Sequence, residues 1–428
     1  MTATVARDKP FGIDKWEVWQ AWRDVRANNG APGVDGISIE DFEKDLRDNL
    51  YKVWNRMSSG SYHPPGVRAV AIEKADGGQR VLGIPTVADR VAQAVVANRL
   101  GPRLERVFHP DSYGYRPGRS AADAVGRCWQ RCRQRGWVVK IDLRSFFDTV
   151  PHDLMVRALR AHLDPDTEGW ISLYVQRWLR AEMVHPDGRR VPRDRGTPQG
   201  GVVSPVLANL FLHYALDAWM ARNHPGAWFE RYADDIVVHS ANQRQARRML
   251  SVICARMAEV GLQVHPDKTA IVYCRGGRHQ GVPDAPVTFD FLGFTFAPRT
   301  GRTKTGTLFL GFSPAPSRTA LKEMGRRVRR WRVHRRPNST LRELATMINP
   351  VVAGWINYYG RFRPSTLYPL LRRINAYLMR WARNKYRRLH RWRKAITWWR
   401  QLVKTYPRGF AHWRLTTEVS TAGMGRAV

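Results

Sequence analysis

The stretch RYADDIVVHS, residues 231–240, sets two adjacent aspartates between an aromatic residue and a β-branched run. With its upstream neighbours, WFERYADDIVVHS (228–240), it reads as strand, tight turn and strand. Asp234 and Asp235 would then sit at one end of a sheet. Taken alone, an acidic pair at a turn is a solvated hairpin tip. The rest of the chain argues against that. It has 428 residues, with 71 Lys and Arg against 36 Asp and Glu, a formal net charge of +35.

A third acid changes the chemistry. WVVKIDL (137–143) reads as a short buried strand, and Asp142 stands near its end. Three carboxylates gathered at strand ends repel one another and stay ionised together only around a cation. Hard oxygen donors suit Mg²⁺, with Mn²⁺ as a substitute. Two such ions ~4 Å apart can activate a hydroxyl and stabilise a leaving pyrophosphate.

The positive charge is concentrated at the far end. Residues 301–428 hold 29 Lys and Arg, three acids and seven tryptophans. Cations neutralise phosphates and aromatic faces stack on bases, so nucleic acid is the expected partner; a solvated charged face or an anionic membrane surface is the alternative. Hydrophobic residues at 43% and aromatics at 11% exclude a disordered basic chain. The sequence contains no run of 18 uncharged apolar residues, no apolar signal core at its start and no C-x-x-C pair. A cytoplasmic protein with reduced thiols, not a membrane protein, is expected.

Along the chain, 67–85 reads as two strands around the turn ADGG (75–78), and 87–108 as a helix. Ser120 and Asp123 have capping-box spacing at the start of a helix over 120–136. In 198–220, Ser204 is the expected N-cap with Pro205 at the first helical position. An amphipathic helix is expected over 245–262, its Met and Leu positions facing a core. Residues 67 to about 300 thus mix strands and helices, an α+β pattern. Beyond SPAPS (313–317) the pattern turns helical and basic, with a helix over 318–345 and helical spacing over 371–400.

The order KIDLRSFFDTV (140–150), GTPQGGVVSPVLANLFL (196–212), YADD (232–235), GLQVHPDKT (261–269) and FDFLGFTF (289–296) resembles the palm of a reverse transcriptase. More narrowly, it resembles the reverse transcriptase/maturases encoded by group II introns. NNGAPGVDG (28–36), RVLGIPTVADRVAQ (80–93) and SYGYRPGRSAADA (112–124) resemble the same family upstream. NPVVAGWINYYGRF (349–362) and LRRINAYLMRWARNKYRR (371–388) resemble its thumb or maturase segment. The resemblance covers roughly residues 25–390.

It implies an RNA-directed DNA polymerase of right-hand, fingers–palm architecture with a helical thumb/maturase domain. Residues 1–60 would lead into the fingers, 61–315 form fingers and palm, 316–400 the thumb/maturase domain and 401–428 a short basic tail. No cysteine follows Cys274, so no Cys-rich endonuclease domain is expected. By resemblance Asp142, Asp234 and Asp235 are catalytic and ligate two Mg²⁺ ions. Phe147 would block a 2′-hydroxyl, with Phe146 as the other candidate. Lys74 and Arg80 would close on the dNTP triphosphate, and Gln199 and Gly200 would meet the template base or incoming nucleotide. A plain turn leading into a helix competes for the last two. Arg116 and Arg119 would touch template phosphate, structural ion pairing being the alternative. Lys268 would stand near the primer end, and Arg383, Lys385, Arg387 and Arg388 would bind RNA. Trp355, Tyr358 and Tyr359 are either base-stacking or core residues. The implied partners are structured host-intron RNA, RNA template with DNA primer and dNTPs, and target DNA. The implied roles are cDNA synthesis, assistance to splicing and retromobility. A retron, diversity-generating or defence reverse transcriptase, or a splicing factor with an inert polymerase fold, are the competing readings.

Overall fold

The computed structural model describes residues 9–73, 78–274, 285–302 and 305–419. The chain divides into two compact units, residues 1–124 with 137–271 and residues 125–136 with 272–428.

In the first unit β1 (Val67–Glu73) and β2 (Gln79–Ile84) form the expected antiparallel pair, with Arg68 opposite Ile84 and Glu73 opposite Gln79. Two strands of two residues each, Met183–Val184 and Arg190–Val191, extend that sheet. They were invisible to pattern reading because two residues show no period. α1 (Val87–Glu105) starts at Thr86, whose side chain accepts from the Asp89 N–H. Its first ten residues are almost all buried, including the polar Asp89, Arg90 and Gln93.

β3 (Trp137–Asp142) is buried except at its last residue, as the continuous apolar run requires of a central strand. α2 (Ser204–Leu212) follows. β4 (Trp228–Tyr232) and β5 (Asp235–Ser240) then form the hairpin expected from RYADDIVVHS. The sheet order is β4-β5-β3, with the short strand Ala270–Tyr273 outside β3. α3 (Gln243–Glu259) is capped by Asn242 and covers the sheet with Ala246, Met249, Ile253 and Met257, one stripe at helical spacing.

α2 corrects one expectation. Its N-cap is Val203, not Ser204, and makes no side-chain cap bond. The Ser204 hydroxyl is instead hydrogen-bonded to Thr197 Oγ1 at 2.8 Å.

The second unit begins with an antiparallel sheet of β6 (Phe289–Phe291), β7 (Phe294–Arg302) and β8 (Leu308–Pro316). Phe289 and Phe296 stack at 4.7 Å on one face. Four helices follow: α4 (Arg318–Arg330), α5 (Leu341–Tyr359), α6 (Tyr368–Lys385) and α7 (Trp392–Thr405). The single helix expected over 318–345 is broken. Arg332 turns left-handed at φ 46°, Pro337 follows, and Thr340 with Glu343 starts α5 anew through a capping box. The 371–400 segment is broken likewise at Tyr386. Leu344, Ile348, Val352 and Ile356 on α5 meet Leu371, Ile374 and Leu378 on α6 in one core cluster. The basic residues are left to the outer faces. Among the described residues no helix is long and apolar enough to cross a membrane.

Candidate active site

Asp142 and Asp235 are paired residues of the β3–β5 ladder. Directly opposed residues of an antiparallel pair have Cα atoms roughly 4.5–5.5 Å apart. Tyr232 pairs with Asp235 across β4–β5, so Ala233 and Asp234 are the two central residues of the turn. Ala233 has φ 54°, at the first central position, where glycine is usual. Asp234 therefore projects beside the opposed pair.

Its electrostatics record the crowding. Burial pushes the Asp234 carboxyl up, the charges of Asp235 and Asp142 push it further, and Arg80 on β2 pulls it down. The three acids are neighbours without forming a closed cage: they do not each bring an oxygen within 4.8 Å of the others. The buried Lys140, two residues before Asp142 and on the same face of β3, contacts the Asp235 carboxylate. Hard oxygen donors and mutual repulsion are the chemistry that a divalent metal relieves, and Asp142, Asp234 and Asp235 are the residues that could hold one.

The turn is fixed from beneath by Arg231. Its side chain is fully buried and forks onto Asp217, Nε to Oδ1 at 2.8 Å and Nη2 to Oδ2 at 2.6 Å. Its Nη1 donates to Asn209 Oδ1 and to the carbonyl of Ala233. Beside it the Gly114 backbone passes so close that a Cβ there would lie 2.5 Å from the Ala233 nitrogen. The next residue, Tyr115, is exposed, and its ring stands 6.2 Å from that of Tyr232.

Phe146 and Phe147 separate cleanly. Phe146 is buried against Phe211, whereas Phe147 keeps a partly open face. The Phe147 carbonyl accepts from Thr197 N–H at 2.7 Å, docking the 197–201 turn there. The turn also meets β2: Gly83 N–H donates to the Gln199 carbonyl at 2.9 Å. Gly200 has φ 128°, and a Cβ on it would lie 2.8 Å from the Gly83 carbonyl oxygen. Phe147, Gln199 and Gly200 thus come together around the turn and Gly83, while Arg80, earlier on β2, acts electrostatically on Asp234. Lys74 and most of the 75–78 turn lie outside the described residues.

The HPDKT segment borders β3, His265 N–H donating to the Asp142 carbonyl at 2.8 Å, and leaves Lys268 exposed. Arg116 is otherwise engaged. Its side chain is 2% exposed, is forked onto Glu105, and donates to the carbonyls of His109 and Ser112. This is the ion-pairing alternative, and template phosphate cannot reach it. Arg119 donates to the Pro110 carbonyl and stands over Tyr113.

In the second unit Arg383 donates to the His390 carbonyl and Lys385 to the Ser339 carbonyl, both partly buried. They tie α6 to flanking loops. Arg387 and Arg388 are exposed. Trp355 stacks with Trp331, Tyr358 donates to the Leu292 carbonyl and Tyr359 lies against Phe294, which is core packing.

Sequence reasoning missed Lys140, Arg231 and Asp217. Arg231 and Lys140 lie inside the quoted motifs, but nothing local distinguishes a buried cation from the many exposed ones.

Comparison with known proteins fits this geometry. Residues 72–296 match the family of reverse transcriptases (RNA-dependent DNA polymerases), and residues 321–399 match the group II intron maturase-specific domain. The chain is 30% identical to protein YkfC of Escherichia coli over 60% of its own length and 77% of that protein. It is 25% identical to an uncharacterised 91 kDa protein in the cob intron of Schizosaccharomyces pombe, over 76% of the chain and 46% of the relative. It is 29% identical to the group II intron-encoded protein LtrA of Lactococcus lactis, over 45% of the chain and 32% of the relative. The chain thus spans less than half of the latter two. It belongs to the reverse transcriptase family of RNA-dependent DNA polymerases and carries a group II intron maturase-specific domain.

Proposed function

We propose that this chain copies RNA into cDNA at the Asp142–Asp234–Asp235 cluster, and that it binds its host intron RNA to assist splicing and retromobility. The observation that carries the first part is the opposed pair Asp142 and Asp235, with Asp234 on the intervening turn. Mg²⁺ held by these carboxylates would supply the Lewis acid that activates a 3′-hydroxyl and neutralises a departing pyrophosphate. The protein groups around it do little covalent work. Arg80 would hold triphosphate oxygens, Phe147 would exclude a 2′-hydroxyl, and Gln199 and Gly200 would meet the incoming nucleotide. Lys268 would stand near the primer end. Positioning and charge neutralisation supply the rate.

The second part draws on the maturase-specific match at 321–399 and on the exposed cations of the second unit, Arg387 and Arg388 among them. A-form RNA is recognised mainly through its backbone and shape, which dense arginine with few acids suits. We place the thumb/maturase domain at 316–400, and count target DNA, RNA template and DNA primer among the partners.

Primer extension on poly(rA)/oligo(dT) with Mg²⁺ tests the reading. Asp234→Asn should abolish extension and leave intron-RNA binding near the wild-type level. Extension by Asp234→Asn at the wild-type rate would sink the assignment.

A further inference from the structure

Beneath the 197–201 turn lies a polar network fully inside the first unit. Asp89 is 1% exposed and sits on α1. Its Oδ1 accepts from the Tyr62 hydroxyl at 2.9 Å and from Trp178 Nε1 at 2.7 Å. Its Oδ2 accepts from Gln93 Nε2 at 3.0 Å. Tyr62, Trp178 and Gln93 are themselves buried. Because a carboxylate only accepts, it dictates which way the Gln93 amide faces. The amide oxygen is thereby turned to the Val203 N–H, which donates to it at 3.3 Å. Gly201 lies against the same oxygen: a Cβ there would come within 3.0 Å of Gln93 Oε1 and 2.7 Å of Ser204 Oγ.

Burying a carboxylate and an amide is costly, and apolar groups of similar shape would stabilise a core as well. This network joins three elements and ends on one backbone N–H of the segment that carries Gln199 and Gly200. We propose that Asp89 and Gln93 are positioning residues for nucleotide selection. Asp89 sets the orientation of Gln93, and Gln93 sets the height of the 198–203 backbone against β2. The inference rests on the polymerase reading given above, in which that turn meets the incoming nucleotide.

The test uses two variants of the full chain with opposite weaknesses. In Asp89→Asn the new amide keeps an acceptor for Tyr62 and Trp178 but presents N–H to Gln93. Gln93 must then reverse, and its own N–H₂ confronts the Val203 N–H. Gln93→Met keeps volume and removes the acceptor. Both should raise the dNTP KM about tenfold, the factor that corresponds to roughly one hydrogen bond. Primer–template affinity should stay within about twofold, since no group of the network reaches the surface that would hold it. The double variant should show the KM of Gln93→Met alone, because Asp89 acts through Gln93. A lowered melting temperature with wild-type dNTP KM in both variants would overturn the inference and leave a purely structural network. If one variant does not fold, the other decides. Absence of primer extension by the wild-type chain would instead strike at the polymerase reading, so the two failures are distinguishable.

Discussion

Arg231 and Asp217 meet in a two-point ion pair in which neither side chain is exposed. The pair joins β4 to the π-helical turn His213–Asp217 that extends α2, and through Arg231 Nη1 it holds the Ala233 carbonyl. Removing one partner leaves an uncompensated buried charge. Asp217→Ala is expected to destabilise the fold by about 3–5 kcal/mol in urea unfolding. Arg231→Lys should not rescue function, because an ammonium cannot fork onto both oxygens. A cost of about 1 kcal/mol or less, typical of surface pairs, would contradict the arrangement.

Gly200 offers a test of the turn. It combines a φ only glycine adopts readily with close contact on Gly83. Gly200→Ala should cost about 1–3 kcal/mol of local strain and, by displacing the turn, lower kcat/KM for dNTP by roughly 100-fold. Gly118 is the control, with φ 69° and open space around it. Gly118→Ala should cost about 1–2 kcal/mol without comparable loss of catalysis. Equal catalytic losses in both would refute a special place for the turn.

The two phenylalanines should part company on substitution. Phe146→Ala empties a buried site and should lower stability by about 3–5 kcal/mol. Phe147→Ala should leave stability closer to wild type and admit ribonucleotides, measured as the ratio of kcat/KM for dNTP and rNTP. A change in that ratio of roughly tenfold or more is expected. An unchanged ratio would move the 2′-hydroxyl screen elsewhere.

His412 gives the second unit a pH signature. The buried imidazole donates through Nε2 to Asn375 Oδ1 at 2.7 Å, while Nδ1 has no partner among the described residues. Burial pushes its pKa down to about 3. The unfolded chain takes up the proton near pH ~6.5, so stability is present above that value and is lost as pH falls toward the folded value. Between pH ~6.5 and ~4 the loss should be roughly 3 kcal/mol, and His412→Gln should remove that slope from urea-unfolding free energies. Parallel slopes in the two proteins would contradict this.

What could be read from the sequence follows a physical division. Strands and helices with a clear period were legible: β3, the β4–β5 hairpin and α3 all lie where spacing put them, within a few residues. So was the placing of the acids near strand ends: Asp142 closes β3, Asp235 opens β5 and Asp234 sits on the turn before it. Contacts between distant residues were not. Arg116 looks like any exposed cation until Glu105 is seen beside it, and Lys140 until its strand is paired with Asp235. The breaks at 331–340 and 386–391 escaped because strong helical spacing on both sides masked the short connections.

The most direct test of the central claim is Mn²⁺ binding, followed by electron paramagnetic resonance. The chain would carry RNA template, a dideoxy-terminated primer and dNTP, so that no bond can form. Wild type should bind Mn²⁺ in competition with Mg²⁺. Asp142→Asn and Asp234→Asn should each weaken that binding at least about tenfold, the cost of losing even a group that only orients a metal ligand. Equal Mn²⁺ affinity in all three proteins would mean that the acids at the end of β3 and on the hairpin turn do not hold the metal.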